Sequence, residues 1–387
     1  MIEFKLPSLG ADMDEGTLLE WRIKPGERVE RGQVVAVVDT AKAAIDVECW
    51  RAGVVQALLV EPGSKVEVGT PIATLLEPGE QADSGAPGKP GAPGKPLAQG
   101  KPGAAPAPAP GEEAPPAAQR ARVSPAARKR AQELGVDPLA VHGSGPQGAV
   151  TLADVERAAT QGAVSDRARA MRQGIAAAMS RSKREIPHYY LAERIPLGRA
   201  LAWLAAYNAA RVPEQRLLPA VLLLKAVALA LRDHPQFNGH WLDGGFRAAE
   251  GIHLGVAIAL RQGGLLAPTL QAVAEKSLPE LMRELSELVL RARTASLRSS
   301  DVSAAGLTVT QLGEQGVETV FGVIYPPQVA LVGFGRIVER PWVEAGEVRV
   351  VPCVNASLAA DHRVSDGHAG GLFLSEIARL LQAPETL

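Results

Sequence analysis

The 387 residues carry 41 lysines and arginines against 42 aspartates and glutamates, a formal net charge of -1, with 46% hydrophobic residues and two cysteines. At roughly 100 to 200 residues per domain, the length implies two or three domains with at least one sizeable core, and the near-neutral charge argues against nucleic acid as the main partner. Cys49 and Cys353 lie far apart, with no CxxC and no histidine-rich tract, so neither a disulfide framework nor a metal site is expected.

Met1-Ile2-Glu3-Phe4-Lys5 lacks the basic start and apolar run of a signal peptide, which with the scarce cysteines makes the cytoplasm the expected compartment. The segment that follows repeats itself. Gly16, Lys24-Pro25-Gly26, Val29-Glu30, Gly32 and Ala36 are answered, 37 positions on, by Gly53, Glu61-Pro62-Gly63, Val66-Glu67, Gly69 and Ala73. Short Val/Ile/Leu strands between Pro-Gly and Gly turns predict two similar sheets packed as a small sandwich over residues 1–78. Between the halves, the run from Val37 to Val47 reads as strand on both sides of Lys42, which puts this lysine near a hairpin tip, facing water. On spacing alone it is an ordinary surface lysine.

From 79 to 119 the apolar residues almost vanish, and ten of the 30 prolines fall there. Such a segment cannot bury enough surface to offset its ordering entropy, so a flexible linker is expected, with a mean span of roughly 35 Å if coiled and about 120 Å if drawn out as polyproline II. An island of helix punctuation occupies 120–159. Ser124 can cap a helix with Pro125 at its first position and Gly135 as its left-handed stop, and a second helix opens at Thr151 with Asp154 as capping partner. Arg128, Lys129 and Arg130 give the first helix a basic face, on charge alone an ordinary solvated surface. A short linker, 160–168, is expected next.

Residues 169–387 read as one α/β domain. Leu217 to Leu231 contains Lys225 and is shorter than the roughly 20 residues of a membrane span, so it predicts a buried helix and no membrane insertion. Leu278, Leu281, Met282, Leu285, Leu288, Val289 and Ala292 recur at helical spacing and predict an amphipathic helix. The β-rich runs 307–309, 320–324, 329–338 and 348–358, parted by Gly and Pro, predict a sheet beside the helices. The last strand leads into Asp361-His362-Arg363-Val364-Ser365-Asp366-Gly367 and an amphipathic helix containing Leu372, Phe373, Ile377 and Leu380. A histidine at a strand end, four residues before an acid, suits general-base work. An imidazole of pKa near 6.5 is mostly neutral at pH 7 and can take the proton of a thiol of pKa near 8.5. A core histidine satisfied by a carbonyl is the alternative that spacing alone leaves open.

Leu6-Pro7-Ser8-Leu9-Gly10, the Pro-Gly turns, the repeat and the Lys42 hairpin together resemble a lipoyl domain. Biotin carriers flank their lysine with methionines, whereas Lys42 stands between Ala41 and Ala43. Val123-Ser124-Pro125-Ala126-Ala127-Arg128-Lys129, Gly135-Val136-Asp137 and Gly143-Ser144-Gly145-Pro146 resemble a peripheral subunit-binding domain. His362 to Gly367 matches the HxxxDG signature of dihydrolipoamide acyltransferases, and Met171-Arg172, Ile186 to Leu191, Leu307 to Gly313 and Pro326-Pro327-Gln328 match further blocks in the same order. The chain therefore resembles the core acyltransferase of a 2-oxo acid dehydrogenase complex over nearly its whole length apart from the linker. The resemblance implies a multidomain fold: an all-β lipoyl sandwich, a small α-helical peripheral subunit-binding domain and an α/β, chloramphenicol acetyltransferase-like catalytic domain.

The resemblance also implies a chemistry. Lipoate would be attached to Lys42, and His362 would deprotonate the thiol of coenzyme A, which attacks the thioester carbonyl of the acyl group carried there, in the first instance acetyl. Thr310 stands where the family has a serine that donates to the oxyanion. Asp366 would order the loop by pairing with an arginine, for which Arg172 is the candidate, and no metal is required. Arg128, Lys129 and Arg130 would dock the 2-oxo acid decarboxylase-dehydrogenase component and dihydrolipoamide dehydrogenase. Catalytic domains would form homotrimers, with active sites between subunits, that build a hollow cage. The sequence departs from the family at Ala41, where an acid usually precedes the lysine, and at Ala149 and Gln271, where arginines are usual. The rival readings are a non-catalytic lipoyl-bearing scaffold, which the presence of His362 and Asp366 disfavours, and a branched-chain or acetoin-derived acyl group.

Overall fold

The structure, a computed structural model, describes residues 2–7, 15–40, 44–76, 123–260, 264–313 and 316–387, without the side chains of 161–168. The chain forms two compact units, one of the residues up to 80 together with Ala168–Leu387, the other ending at Arg167.

In the first unit, β1 (Ile2–Lys5), β2 (Glu15–Trp21), β3 (Arg28–Val29), β4 (Val34–Asp39), β5 (Ala44–Glu48), β6 (Gly53–Leu58), β7 (Lys65–Glu67) and β8 (Pro71–Leu76) build the expected pair of sheets. Their orders are β1-β8-β6-β3 and β5-β4-β2-β7, the second sheet being continued beyond β5 by the short strand of Leu297–Arg298. The repeat is written into the backbone: Gly26, Gly32, Gly63 and Gly69 all turn with φ between 86° and 89°, a conformation that strains any residue with a Cβ. Alternation then fills the interior, as in β5, where Ile45 and Val47 are buried while Asp46 and Glu48 face outward. The β4–β5 hairpin closes at the pair Asp39↔Ala44. Lys42 belongs to the connection between those two residues and, like the 79–119 segment, lies outside the described residues.

In the second unit, α1 (Pro125–Leu134) starts where the Ala127 amide donates to Ser124 Oγ at 3.2 Å and stops at Gly135, φ 66°. In the first turn of α2 (Leu152–Glu185), the buried Asp154 carboxylate accepts from the amides of Ser144 and Thr151 and from both their hydroxyls. Those four bonds hold its carboxyl far below the usual range. Ala127, Ala131, Val150 and Val155 form the small core. Residues 160–168, expected as a short linker, are helical, because α2 runs through them.

The rest of the first unit contains β9 (His188–Pro196), α3 (Gly198–Ala209), α4 (Pro219–Asp233), β10 (Gly239–Leu242), β11 (Gly245–Ala248), β12 (Leu254–Val256), β13 (Ile258–Ala259), β14 (Leu265–Leu266), β15 (Thr269–Leu270) and α5 (Leu278–Thr294). It continues with β16 (Leu297–Arg298), β17 (Leu307–Gln311), β18 (Ala330–Phe334), β19 (Val338–Glu344), β20 (Glu347–Asp361) and α6 (Gly367–Leu381). A seven-stranded mixed sheet runs β15-β12-β17-β18-β20-β19, with β9 pairing the second half of β20. Leu307 and Val309, then Ala330, Val332 and Phe334, then Val354, Ala356, Leu358 and Ala360 alternate into one core with the apolar faces of α4, α5 and α6. The other sheet face therefore carries Thr308, Thr310 and Ser357. The Lys225 ammonium, buried in α4, donates to the carbonyls of Ala274 at 2.8 Å and Lys276 at 2.6 Å, while burial lowers its pKa.

The run 320–324 is not a strand, contrary to expectation. Its backbone is claimed by side chains: Ser357 Oγ donates to the Val320 carbonyl, Ser182 Oγ to the Ile324 carbonyl at 2.6 Å, and the Ile324 amide donates to His188 Nε2 at 3.2 Å. A β propensity without a ladder partner leaves the chain irregular.

Candidate active site

β20 ends at Asp361, and the turn that follows lifts His362 clear of the sheet. Asp361 is fully buried and accepts from the Arg363 amide at 2.9 Å, from Nε at 2.9 Å and from Nη2 at 2.6 Å. The same guanidinium lies over the Trp241 ring, 4.4 Å from its centroid. A planar, bidentate fork stacked on an indole fixes the turn more tightly than a point charge does. The His362 amide donates to the Pro187 carbonyl at 3.0 Å, and its exposed ring meets the edge of Tyr189 at 5.2 Å between centroids. Tyr189 is itself held through its hydroxyl, 2.9 Å from Ser365 Oγ. The result is an imidazole open to solvent on a braced turn.

Asp366 caps α6, accepting from the Ala369 amide at 2.9 Å. That bond above all lowers its pKa; desolvation opposes it, and the His368 amide and the nearby His368 and His362 rings lower it further. Arg172 is exposed on α2, and no hydrogen bond or ion pair joins it to Asp366 within the chain. Inside one chain, the side-chain contact that Asp366 makes is the cap of α6.

Thr310 is half-buried near the end of β17, on the face opposite the core. Its strand register sets how far it lies from His362. Thr310 pairs with Gly333 of β18, and Gly333 with Ser357 of β20, five residues short of His362. Two inter-strand spacings and five residues of rise separate them by about 19 Å, so one chain does not bring the two together.

On the Thr310 face lies an apolar cavity of about 210 Å³, lined among others by Met171, Ile175, Leu266, Thr308, Tyr325 and Gln328. Its lining comes from segments separated widely in sequence. Its polar wall is fixed: Thr308 Oγ1 donates to Gln328 Oε1 at 2.7 Å, and Gln328 Nε2 and His240 Nε2 both donate to the Ala305 carbonyl at 3.0 Å. Among the described residues, no cluster of histidine, cysteine or carboxylate suits a metal ion. In the second unit Arg128 and Lys129 are exposed, whereas Arg130 is tied to Glu133 at 3.0 Å and Glu156 at 3.3 Å.

His362, Asp366, Thr310 and the basic residues are the positions named from the sequence. Tyr189, Asp361, Arg363 and Trp241, which brace the histidine, were not assigned this part. For Asp361 and Arg363 the adjacency to His362 was a signal; for Trp241, on β10, there was none.

Three family models match the chain. Residues 161–387 match the 2-oxoacid dehydrogenases acyltransferase catalytic domain, residues 2–75 the Biotin-requiring enzyme family and residues 121–156 the e3 binding domain. The dihydrolipoyllysine-residue acetyltransferase component of the Staphylococcus aureus pyruvate dehydrogenase complex is 30% identical over 100% of this chain and 98% of its own. The lipoamide acyltransferase component of the Pseudomonas aeruginosa branched-chain alpha-keto acid dehydrogenase complex is 34% identical over 99% of this chain and 98% of its own. Among solved structures, the Azotobacter vinelandii dihydrolipoamide acetyltransferase, studied for the catalytic roles of a serine, a histidine and an asparagine, superposes with a TM-score of 0.53 at 29% identity, over 55% of this chain and 89% of its own. With the acyltransferase model covering more than half of its residues and relatives aligned from end to end, the chain belongs to the 2-oxo acid dehydrogenase acyltransferase family.

Proposed function

We propose that the protein transfers an acyl group between a lipoyl group on Lys42 and coenzyme A, with His362 as general base, Thr310 as oxyanion donor and Asp366 as the residue that sets the His362 loop. The observation that carries the reading is the solvent-facing imidazole on a turn braced by Asp361, Arg363 and Trp241. The intervals from Thr310 to His362 and from His362 to Asp366 equal those separating the serine, histidine and asparagine of the Azotobacter vinelandii enzyme, which supports the assignment.

The attachment of lipoate is consistent with the hairpin: antiparallel pairing ends at Asp39↔Ala44, and Lys42 falls in the sequence between them. When bound there, the group supplies a thiol that carries the acyl unit as a thioester. His362 takes the proton of the coenzyme A thiol as its sulfur attacks the acyl carbonyl, and returns it to the departing sulfur. Thr310 donates to the carbonyl oxygen as charge builds. A positioned base contributes about 10² to 10⁴ in rate, and one oxyanion donor about 10² to 10³.

Since His362 and Thr310 lie about 19 Å apart in one chain, the working site forms between subunits, His362 of one facing Thr310 of the next. A homotrimer meets that need, and trimers joined as a cage cover the exposed Phe321, Val343, Val348, Val350 and Leu372. Arg128 and Lys129 dock the decarboxylase-dehydrogenase component and dihydrolipoamide dehydrogenase. No described helix is long and apolar enough to cross a membrane, and both cysteines are free and buried, which fits a cytoplasmic enzyme.

Acetyl is the first reading for the acyl group. A branched-chain acyl group is the second, favoured by the apolar lining of the cavity and by the Pseudomonas aeruginosa relative. Purified protein with free dihydrolipoamide and acetyl-, isobutyryl- and succinyl-CoA discriminates them. His362→Ala abolishes turnover with the best donor while the oligomer persists; turnover within tenfold of the unaltered protein would remove His362 from the role of base.

A further inference from the structure

We propose that β16 is the landing strand for the N-terminal sandwich, so that the carrier domain docks by adding its edge strand β5 to the acyltransferase domain. This rests on the acyltransferase reading above and names where its carried substrate is received.

β5 is the edge of its own sheet, with β4 on one side only, and an edge strand presents unpaired amides and carbonyls that invite pairing. β16 has no other strand partner among the described residues. The two pair in parallel, Ile45 with Leu297 and Asp46 with Arg298. Such strand addition gives affinity through main-chain bonds and selectivity through the flanking side chains. Those side chains are complementary: the Glu48 amide donates to Ser299 Oγ at 3.1 Å, and the Arg298 guanidinium lies 3.9 Å from the Glu48 carboxylate. Val302 packs against the sandwich core.

The receiving turn is built in advance. Asp301, buried, accepts from the Arg298 amide at 3.0 Å and from Arg291 of α5 at 2.8 and 2.7 Å, so Arg298 and Ser299 are presented on a fixed loop. Leu297 and Val302 also line the apolar cavity on the Thr310 face. Ile45, three positions from Lys42 in the sequence, is thereby paired with a residue of the cavity wall, Leu297. Two residues of strand and one half-exposed ion pair make a weak contact, as a carrier that must leave for its next partner requires.

The test uses the full-length lipoylated protein. Paired strands hold opposing Cα atoms about 4.8 Å apart, within disulfide reach, so Asp46→Cys with Arg298→Cys cross-links under diamide. Lys65→Cys with Arg298→Cys, at the far edge of the same sheet, does not. The second readout is the rate at which acetyl-CoA acylates the protein's own reduced lipoyl group, divided by its rate with free dihydrolipoamide. Arg298→Glu lowers that ratio about tenfold by setting like charges together, and Glu48→Arg in the same chain restores it. Cross-linking equal in both cysteine pairs, or a ratio within twofold of the unaltered protein in Arg298→Glu, overturns the proposal. Failure of the unaltered protein to acylate free dihydrolipoamide would instead overturn the acyltransferase reading, with the cross-link still deciding the docking.

Discussion

Arg363→Ala tests whether the brace under His362 matters to the chemistry. The Asp361 carboxylate is fully buried and accepts one backbone and three side-chain bonds from Arg363, whose own side chain is 30% exposed. Stranding a buried charge costs about 3–5 kcal/mol in general. Here the backbone bond survives and the site lies near solvent, so about 2–3 kcal/mol is expected, a fall in melting temperature of about 5–10 °C for a body of this size. The loosened turn displaces the imidazole, and a misplacement near 1 Å lowers kcat by about 10- to 100-fold while KM for coenzyme A changes little. Asp361→Asn combined with Arg363→Met removes both charges and recovers most of the stability without recovering kcat, because the stacked fork is still missing. Melting by circular dichroism and steady-state kinetics with free dihydrolipoamide give both quantities. A single Arg363→Ala variant that melts within 1 °C of the unaltered protein and turns over within twofold refutes the reasoning.

Thr310→Ala lowers kcat by about 10² to 10³, whereas Thr310→Ser stays within a few-fold, since the hydroxyl and not the methyl is the donor. His188 bonds the Ile186 carbonyl through Nδ1 and accepts the Ile324 amide at Nε2, so it is neutral in the folded chain. Burial above all lowers its pKa, opposed by the bond to the Ile186 carbonyl and by Asp361, with Lys183 adding to the fall. Its contribution to stability is therefore complete above the unfolded pKa near 6.5 and is lost as the pH falls below it, a slope in melting temperature that His188→Gln removes. Arg128→Glu with Lys129→Glu weakens binding of dihydrolipoamide dehydrogenase, and the loss shrinks as salt is raised; Arg130→Ala does less, because Glu133 and Glu156 already hold that side chain. Titration calorimetry at two ionic strengths measures both.

The elements that sequence alone determined are those whose physics is local. The two halves of the sandwich were legible because each Pro-Gly turn needs a positive φ that glycine supplies without strain, at Gly26 and again at Gly63. The helices α1, α5 and α6 follow from caps and periodicity, as Leu278, Leu281, Leu285 and Leu288 lining one buried stripe of α5 illustrate, and α4 from its unbroken apolar run. His362 and Thr310 were named through resemblance, their spacing along the chain carrying no distance in space. Tertiary structure decided the remainder. The run 320–324 stayed irregular because its backbone partners, Ser182, His188 and Ser357, are distant in sequence. The brace of Asp361 and Arg363 on Trp241 joins β20 to β10 across more than a hundred residues. Whether His362 and Thr310 meet within one chain was fixed by strand register alone, since a sheet converts residue offsets into ångströms only once its strands have chosen their partners.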